Sequence, residues 1–244
     1  MTYFEFLDDI IKNFRVSKMI EIIKVEQNED TQDLVAVSYE ATRALIVVAN
    51  YHQTPDIEIP KVQGLSQLDF IKQIIGIASG ASKTSVKFKE NSEGVATETI
   101  FKMDKATIKN KNVAKSLLPE TPKNLSKFAP DVEVELDKDI IAEILRLLSL
   151  NIFNASAYLT KSKNGNLTIE LTNNIDGMDY ETPYELPEGV LDEPFKIDLE
   201  RFVSILKVGN EGVKLAIADQ QNLVRISKED DKALYQYFLI RRAS

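Results

Sequence analysis

Seven cations are the residues of this sequence best placed to do chemistry: Lys12, Arg15, Lys72, Lys83, Arg146, Arg201 and Lys207, all within or just past stretches of helical periodicity. Long basic side chains on the polar sides of amphipathic helices attract phosphate without reading base edges. That is the requirement for holding nucleic acid without being pinned to one sequence. The same residues also fit an ordinary solvated helix face. A second basic run, Lys102, Lys105, Lys109 and Lys111, falls on a strand pattern, where lysine also keeps an exposed edge from aggregating.

Other chemistries lack parts. Residues 76–84 contain Gly76, Gly80, Lys83 and Thr84, but a phosphate-binding loop needs glycine at 81 and lysine at 82, where Ala81 and Ser82 stand. With no cysteine and a single histidine, His52, there is no thiol nucleophile, no cysteine-based metal site and little room for zinc or serine–histidine catalysis. Asp30, Asp33, Asp176, Asp179, Asp230 and Asp231 sit in loops without calcium-loop spacing. No cofactor is expected and no catalytic constellation is visible, so the chain reads as not an enzyme. A carboxylate pair that assembles only in three dimensions stays open as an alternative.

The net charge of −8 argues against a general phosphate binder, but its distribution matters more than its total. Leaving aside the capping Asp137 and Asp198, the four helical stretches hold nine basic residues against six acidic ones, leaving the acidic excess to the rest of the chain. No apolar run approaches the roughly 18 residues of a membrane span, and the chain reads as soluble and cytoplasmic, with no membrane partner. Asn124 and Asn166, in glycosylation-like triplets, then read as turn chemistry.

The elements that must position these groups recur. Apolar residues stand at Leu7, Ile10, Ile11 and Phe14; at Ile71, Ile74, Ile75 and Ala78; at Ile141, Ile144, Leu145 and Leu148; and at Leu199, Phe202, Val203 and Leu206. Each set has the i, i+3, i+4, i+7 spacing of one helix stripe. Ser66, Asp137 and Asp198 are the expected N-caps of the last three helices. Runs rich in Ile and Val follow each helix, among them 34–39, 44–51, 96–103, 106–110, 166–172 and 178–186, and Asn164-Gly165 marks a two-residue hairpin turn. The prolines Pro119, Pro122 and Pro130 make 114–130 an extended connector. The reading is an α+β chain of two similar domains, 1–113 and 131–244, each a duplicated helix-plus-strands unit.

In that order of repeats, segment lengths and connector the chain resembles the ring-forming DNA polymerase sliding clamps, the processivity factors of T4-like phages and of the PCNA type. Locally, Ile10-Ile11-Lys12-Asn13-Phe14 is similar to the first helix of phage clamps. Phe195-Lys196-Ile197-Asp198, Phe202, Leu206-Lys207 and Tyr237-Phe238-Leu239-Ile240 are similar to their last quarter. The resemblance implies a homotrimeric ring lined by the helices, encircling double-stranded DNA without sequence specificity and tethering a DNA polymerase, with a clamp loader as a further partner. The alternative is a structural or assembly protein, of a phage for example, that reuses duplicated β-rich domains. Two departures stand out: little room for a strand before the first helix, and Pro183 in a strand expected at a subunit boundary.

Unlike edges near 106–110 and 178–186 imply head-to-tail association. The resemblance also implies a pocket for peptide tails of polymerase and loader, bordered by Leu117, Leu118 and Pro119 of the connector with Tyr237, Phe238 and Ile240 of the last strand. The plainer reading is that Leu117 and Leu118 fasten the linker while Tyr237 and Phe238 belong to the core.

Overall fold

The computed structural model describes residues 1–28, 33–120, 122, 125–148, 156–172, 177–209 and 211–241, without the side chains of Ser126 and Leu148. Expectations on Asp30, Asn124, Leu150 and Asp176, and on the Leu148 side chain, lie outside the described residues. The chain separates into two compact units. One comprises Met1–Thr42, Ile46–Thr121 and Asp230–Tyr235, and the other Arg43–Leu45, Pro122–Glu229 and Gln236–Ser244.

In the first unit, helix α1 spans Tyr3–Phe14 and starts at a reciprocal cap. The Glu5 amide donates to Thr2 Oγ1 at 3.2 Å while the Thr2 amide donates to Glu5 Oε2 at 2.6 Å, satisfying two otherwise orphaned donors. Its stripe, with Phe6, Leu7, Ile10, Ile11 and Phe14, is buried. The antiparallel strands β1 (Ile23–Gln27), β2 (Leu34–Tyr39), β3 (Leu45–Tyr51) and β4 (Val62–Leu65) lie in the order β4-β1-β2-β3. Helix α2 spans Leu68–Ser79 and buries Leu68, Ile71, Ile74 and Ala78. A three-stranded sheet follows, β5 (Thr84–Glu90), β6 (Ala96–Met103) and β7 (Ala106–Lys111), in chain order with β7 as an edge.

Polar bonds fasten the helix to these sheets. The Tyr3 hydroxyl donates to Gln63 Oε1 at 2.8 Å, and Gln63 Nε2 to Thr99 Oγ1 at 3.0 Å, all three residues being buried. Asp9, 7% exposed, accepts from the hydroxyls of Tyr51 at 2.9 Å and Tyr235 at 2.5 Å, with Lys232 Nζ 3.6 Å from its other oxygen. A carboxylate is buried at tolerable cost only when its lone pairs are met in this way.

The second unit repeats the scheme. Strand β8 (Val132–Leu136) leads into helix α3 (Lys138–Leu148), capped by Asp137 Oδ1, which accepts from the Ile140 amide at 2.9 Å. Strands β9 (Ser156–Lys161), β10 (Asn166–Thr172), β11 (Gly177–Glu185) and β12 (Phe195–Ile197) form a sheet in the order β11-β10-β9-β12. Helix α4 (Leu199–Val208) begins at Asp198, whose Oδ1 accepts from the Arg201 amide at 2.9 Å. Strands β13 (Val213–Ala218), β14 (Leu223–Glu229) and the second half of β15 (Ala233–Ile240) join β8 in the other sheet. Ile140, Ile141, Ile144, Phe202, Ile205 and Leu206 fill the core under the helices.

Two local expectations are corrected. The residue before α2 is Gln67, held in the left-handed region at φ 54° without a side-chain cap bond, so Ser66 does not cap the helix. The turn after β9 takes three residues, Lys163 to Gly165, closed by Ser162 donating to the Asn166 carbonyl at 2.9 Å; of the pair Asn164-Gly165, only Gly165 has positive φ. Helix α1 begins at Tyr3 with no strand before it. Pro183 does not end β11: the register with β10 shifts around it, and a bulge absorbs the missing donor.

Candidate nucleic-acid interface

Helices α1 and α2 pack side by side in the first unit, and four cations converge where the last turn of α1 meets the first turns of α2. Lys12 lies in that last turn, Arg15 is its C-cap, Lys18 follows in the loop and Lys72 projects from α2. Together with Asp8 and Ile11 they line an open cavity of about 460 Å³. Lys12, Lys18 and Lys72 are exposed, and Arg15 makes an ion pair with Asp69 that bridges the two helices. Positive charge at the end of α1 is favoured by the carbonyls left unpaired there, so the cluster sits where the helix itself attracts cations.

The other expected cations are arranged differently. Lys83 is exposed in the loop after α2, where its amide donates to Asp104 Oδ1 at 3.0 Å, outside the cluster. In the second unit α3 and α4 also pack together. Arg146 forms two hydrogen bonds to Glu143, at 2.9 and 2.7 Å, which hold the Glu143 carboxyl below its usual range and raise the guanidinium. Arg201 pairs with its own N-cap Asp198, both side chains being 12% exposed. Lys207 is exposed in the last turn of α4. Of the seven, then, Lys12, Arg15 and Lys72 are brought together. Lys18 joins them although its place in the loop after α1 gave no sign of this in the periodicity.

The expected docking residues divide in the same way. Leu117, in a single 3-10 turn at Lys115–Leu117, is 66% exposed, and with Pro119, Met19, Ile22, Tyr39 and Ala41 it lines a groove of about 370 Å³. Leu118 turns inward onto β4: its Cδ2 lies 2.4 Å from where a Cβ on Gly64 would stand. The absence of a side chain at Gly64 is what lets the connector lie on the strand, and the Val113 amide donates to the Gly64 carbonyl at 3.0 Å. In the second unit Tyr237 and Phe238 are buried, Phe238 meeting Phe128 edge to face with ring centres 5.6 Å apart, while Ile240 is 39% exposed.

Among the described residues no group of His, Asp or Glu side chains is placed to hold a metal ion, and no helix is long and apolar enough to cross a membrane. His52 is exposed just past β3. Asp230 serves as a turn acceptor for the amides of Lys232 and Ala233 at 2.9 and 3.0 Å.

No protein-family model matches this sequence, and no curated protein matches it. Solved structures do. The chain is similar to A. fulgidus PCNA, solved with the C-terminal region of FEN-1 bound, at a TM-score of 0.67 and 15% identity, covering 100% of this chain and 97% of that one. It is similar to a chain of the PCNA2–PCNA3 complex from Sulfolobus tokodaii, at a TM-score of 0.66 and 13% identity, over 98% and 97% of the two chains. A protein described as a DNA polymerase III beta subunit from Eubacterium rectale matches at a TM-score of 0.68 and 15% identity, over 100% of this chain and 65% of that one. The fold is the α+β fold of the sliding clamps.

Proposed function

We propose that this chain is a sliding clamp: copies of it close a ring, a homotrimer, around double-stranded DNA and tether a DNA polymerase for processive replication, after a clamp loader has opened the ring. It acts as a non-enzymatic scaffold in the cytoplasm, that of the bacterial host if a phage encodes it. The observation that carries this reading is the convergence of Lys12, Arg15, Lys18 and Lys72 on the α1–α2 surface of a clamp fold. Flexible ammonium groups there meet phosphates electrostatically and leave base edges unread, as a protein that moves along a duplex requires. Lys83 in the first unit and Arg146, Arg201 and Lys207 in the second are further phosphate contacts in this reading. The two arginines keep a charge-assisted partner within their own helix and act as weaker phosphate contacts.

Polymerase and loader tails dock in the groove of the first unit edged by Leu117 and Pro119, with Leu118 fastening the connector that carries them; in the second unit Ile240 is a further exposed candidate contact, beside the buried Tyr237 and Phe238. A topological experiment tests the central claim. Protein retained on nicked circular DNA and lost when the same molecule is linearised is the expected result, together with a single closed oligomer of defined mass across a concentration series. Equal retention on both forms, or a persistent monomer, overturns it and returns the chain to the class of assembly proteins.

A further inference from the structure

The second unit covers one of its strands in a way that the first leaves undone. Strand β8 runs directly into α3 and pairs antiparallel with β13, the first strand after α4. The apolar Val134 and Leu136 of β8 turn inward, and under that cover Val213, Leu215 and Ile217 of β13 are at most 2% exposed. The glutamates of β8 turn outward to cations. Glu135 stands opposite Lys214, and Glu133 pairs with Arg225 across Ala216 at 2.6 Å.

The corresponding strand of the first unit is β5, the first after α2, and among the described residues β6 alone lies beside it. Met1, ahead of α1, is engaged elsewhere, its carbonyl accepting from the Asp56 amide at 3.0 Å. Val86 and Phe88 face the core with Phe101 and Thr99 of β6, yet they are only half-buried where those partners are 1% exposed. Alternate residues of an edge strand turn their N–H and C=O groups outward. Among the described residues no hydrogen bond joins Ser85–Phe88 to anything except β6. The other side of β5 carries Lys87 and Lys89. Lys89 is held by Glu98 at 2.6 Å, while Lys87 is exposed and makes no ion pair among the described residues. Lysines keep two such edges from pairing with each other, and an acidic strand escapes that repulsion.

We propose that the β5 edge is a strand-docking site for an extended segment of a partner protein in which apolar and acidic residues alternate, the pattern that β8 presents to β13. The guest pairs antiparallel along the regular stretch Thr84–Lys89, which ends at the bulge before Glu90. Its apolar residues cover Val86 and Phe88, its backbone takes the free ladder groups, and one of its acids stands beside Lys87. The site lies in the first unit alone and works whether or not copies of the chain close a ring.

The probe is a fluorescent synthetic peptide that copies residues 131–137 of this chain, titrated with the full-length protein and read by anisotropy. Saturable binding with a Kd below about 1 mM is expected, together with slower hydrogen exchange across residues 84–90. Lys87→Glu should weaken binding about fivefold with melting unchanged, and a peptide carrying lysine in place of both glutamates should prefer K87E to the wild type. Two more peptides, N-methylated at alternate residues in one phase or the other, separate ladder pairing from capture by side chains. One phase should lose about tenfold or more and the other should bind as before. Absence of binding, equal affinity of wild type and K87E, or equal loss with both methylated peptides overturns the proposal. A loss in K214E rather than K87E means that the peptide displaces β8 from β13, and it overturns the proposal too. Mass that rises with concentration in the wild type and not in K87E gives the edge to a second copy, and duplex DNA that slows exchange across 84–90 where the peptide does not gives it to phosphate. Either result overturns the choice of partner. Should K87E fail to fold, the methylated pair decides.

Discussion

Replacing Lys12, Lys18 and Lys72 together with glutamine should lower the salt dependence of duplex binding by an amount the structure sets in advance. These three are the exposed cations of the α1–α2 cavity that make no ion pair among the described residues, whereas Arg15 already faces Asp69. Each phosphate neutralised on a duplex contributes about 0.9 to the slope of log affinity against log salt, so losing three removes about 2.7. Between about 50 and 200 mM salt that is a difference of roughly 40-fold in how steeply affinity falls, well outside the error of a fluorescence anisotropy titration. Exposed substitutions of this kind shift stability by about 0.5 kcal/mol or less, so thermal melting should stay in place. The same triple change in a ring should also shorten residence on circular DNA. A slope unchanged in a folded triple variant would mean that the cavity does not face phosphate, and the interface would have to be sought elsewhere.

Two further outcomes concern the interior. Tyr235→Phe and Tyr51→Phe should each cost about 1.5–3 kcal/mol in urea unfolding, the range for hydrogen bonds to a charged group, and their effects should not add because both bonds end on one oxygen of Asp9. Additive losses would show that the two hydroxyls act separately. Burial raises both Tyr3 and Tyr51, for Tyr51 with the negative charge of Asp9 as the next cause, so these hydroxyls stay protonated in the fold where a free tyrosine ionises. Their contribution is fully present below the unfolded value of about 10 and is lost as pH rises above it; melting temperature should therefore fall above about pH 10, and less steeply in Y3F/Y51F. Equal slopes in the two proteins would place the alkaline loss elsewhere.

The helices were readable because a buried stripe repeats every 3.6 residues: Leu7, Ile10, Ile11 and Phe14 are fixed by burial alone, and so are the strands 34–39, 96–103 and 166–172, whose bounds the structure reproduces. The Thr2–Glu5 cap was also open to reading as a spacing. Ser66 misled because cap propensity does not say which backbone residue adopts the extended or left-handed geometry; chain entry from β4 decides that. The partners of the cations split along the same line. Glu143–Arg146 and Asp198–Arg201 are three residues apart and visible as helix neighbours, while Arg15–Asp69 spans 54 positions and depends on how two helices pack. Leu117 and Leu118 are adjacent leucines that only the Gly64 approach tells apart, one inward and one outward.

The bond from Tyr235 to Asp9 joins residues 226 positions apart within one compact unit, and its second unit-1 anchor, the Lys232 carbonyl accepting from the His52 amide at 2.8 Å, spans almost as much chain. A ribosome making this chain releases α1 long before the strand that completes its surroundings. Until residues 230–235 emerge, the carboxylate of Asp9 lacks the Tyr235 hydroxyl and its ion pair with Lys232, and the first unit lacks a piece of its sheet. Closing so long a loop adds only a logarithmic entropy term, but it delays the step, since distant contacts reward the chain only after the intervening segment has been ordered. The first unit therefore cannot mature ahead of the second during synthesis. Chains that terminate before Ala233 should therefore leave the first unit incomplete, with the Asp9 carboxylate short of the Tyr235 hydroxyl.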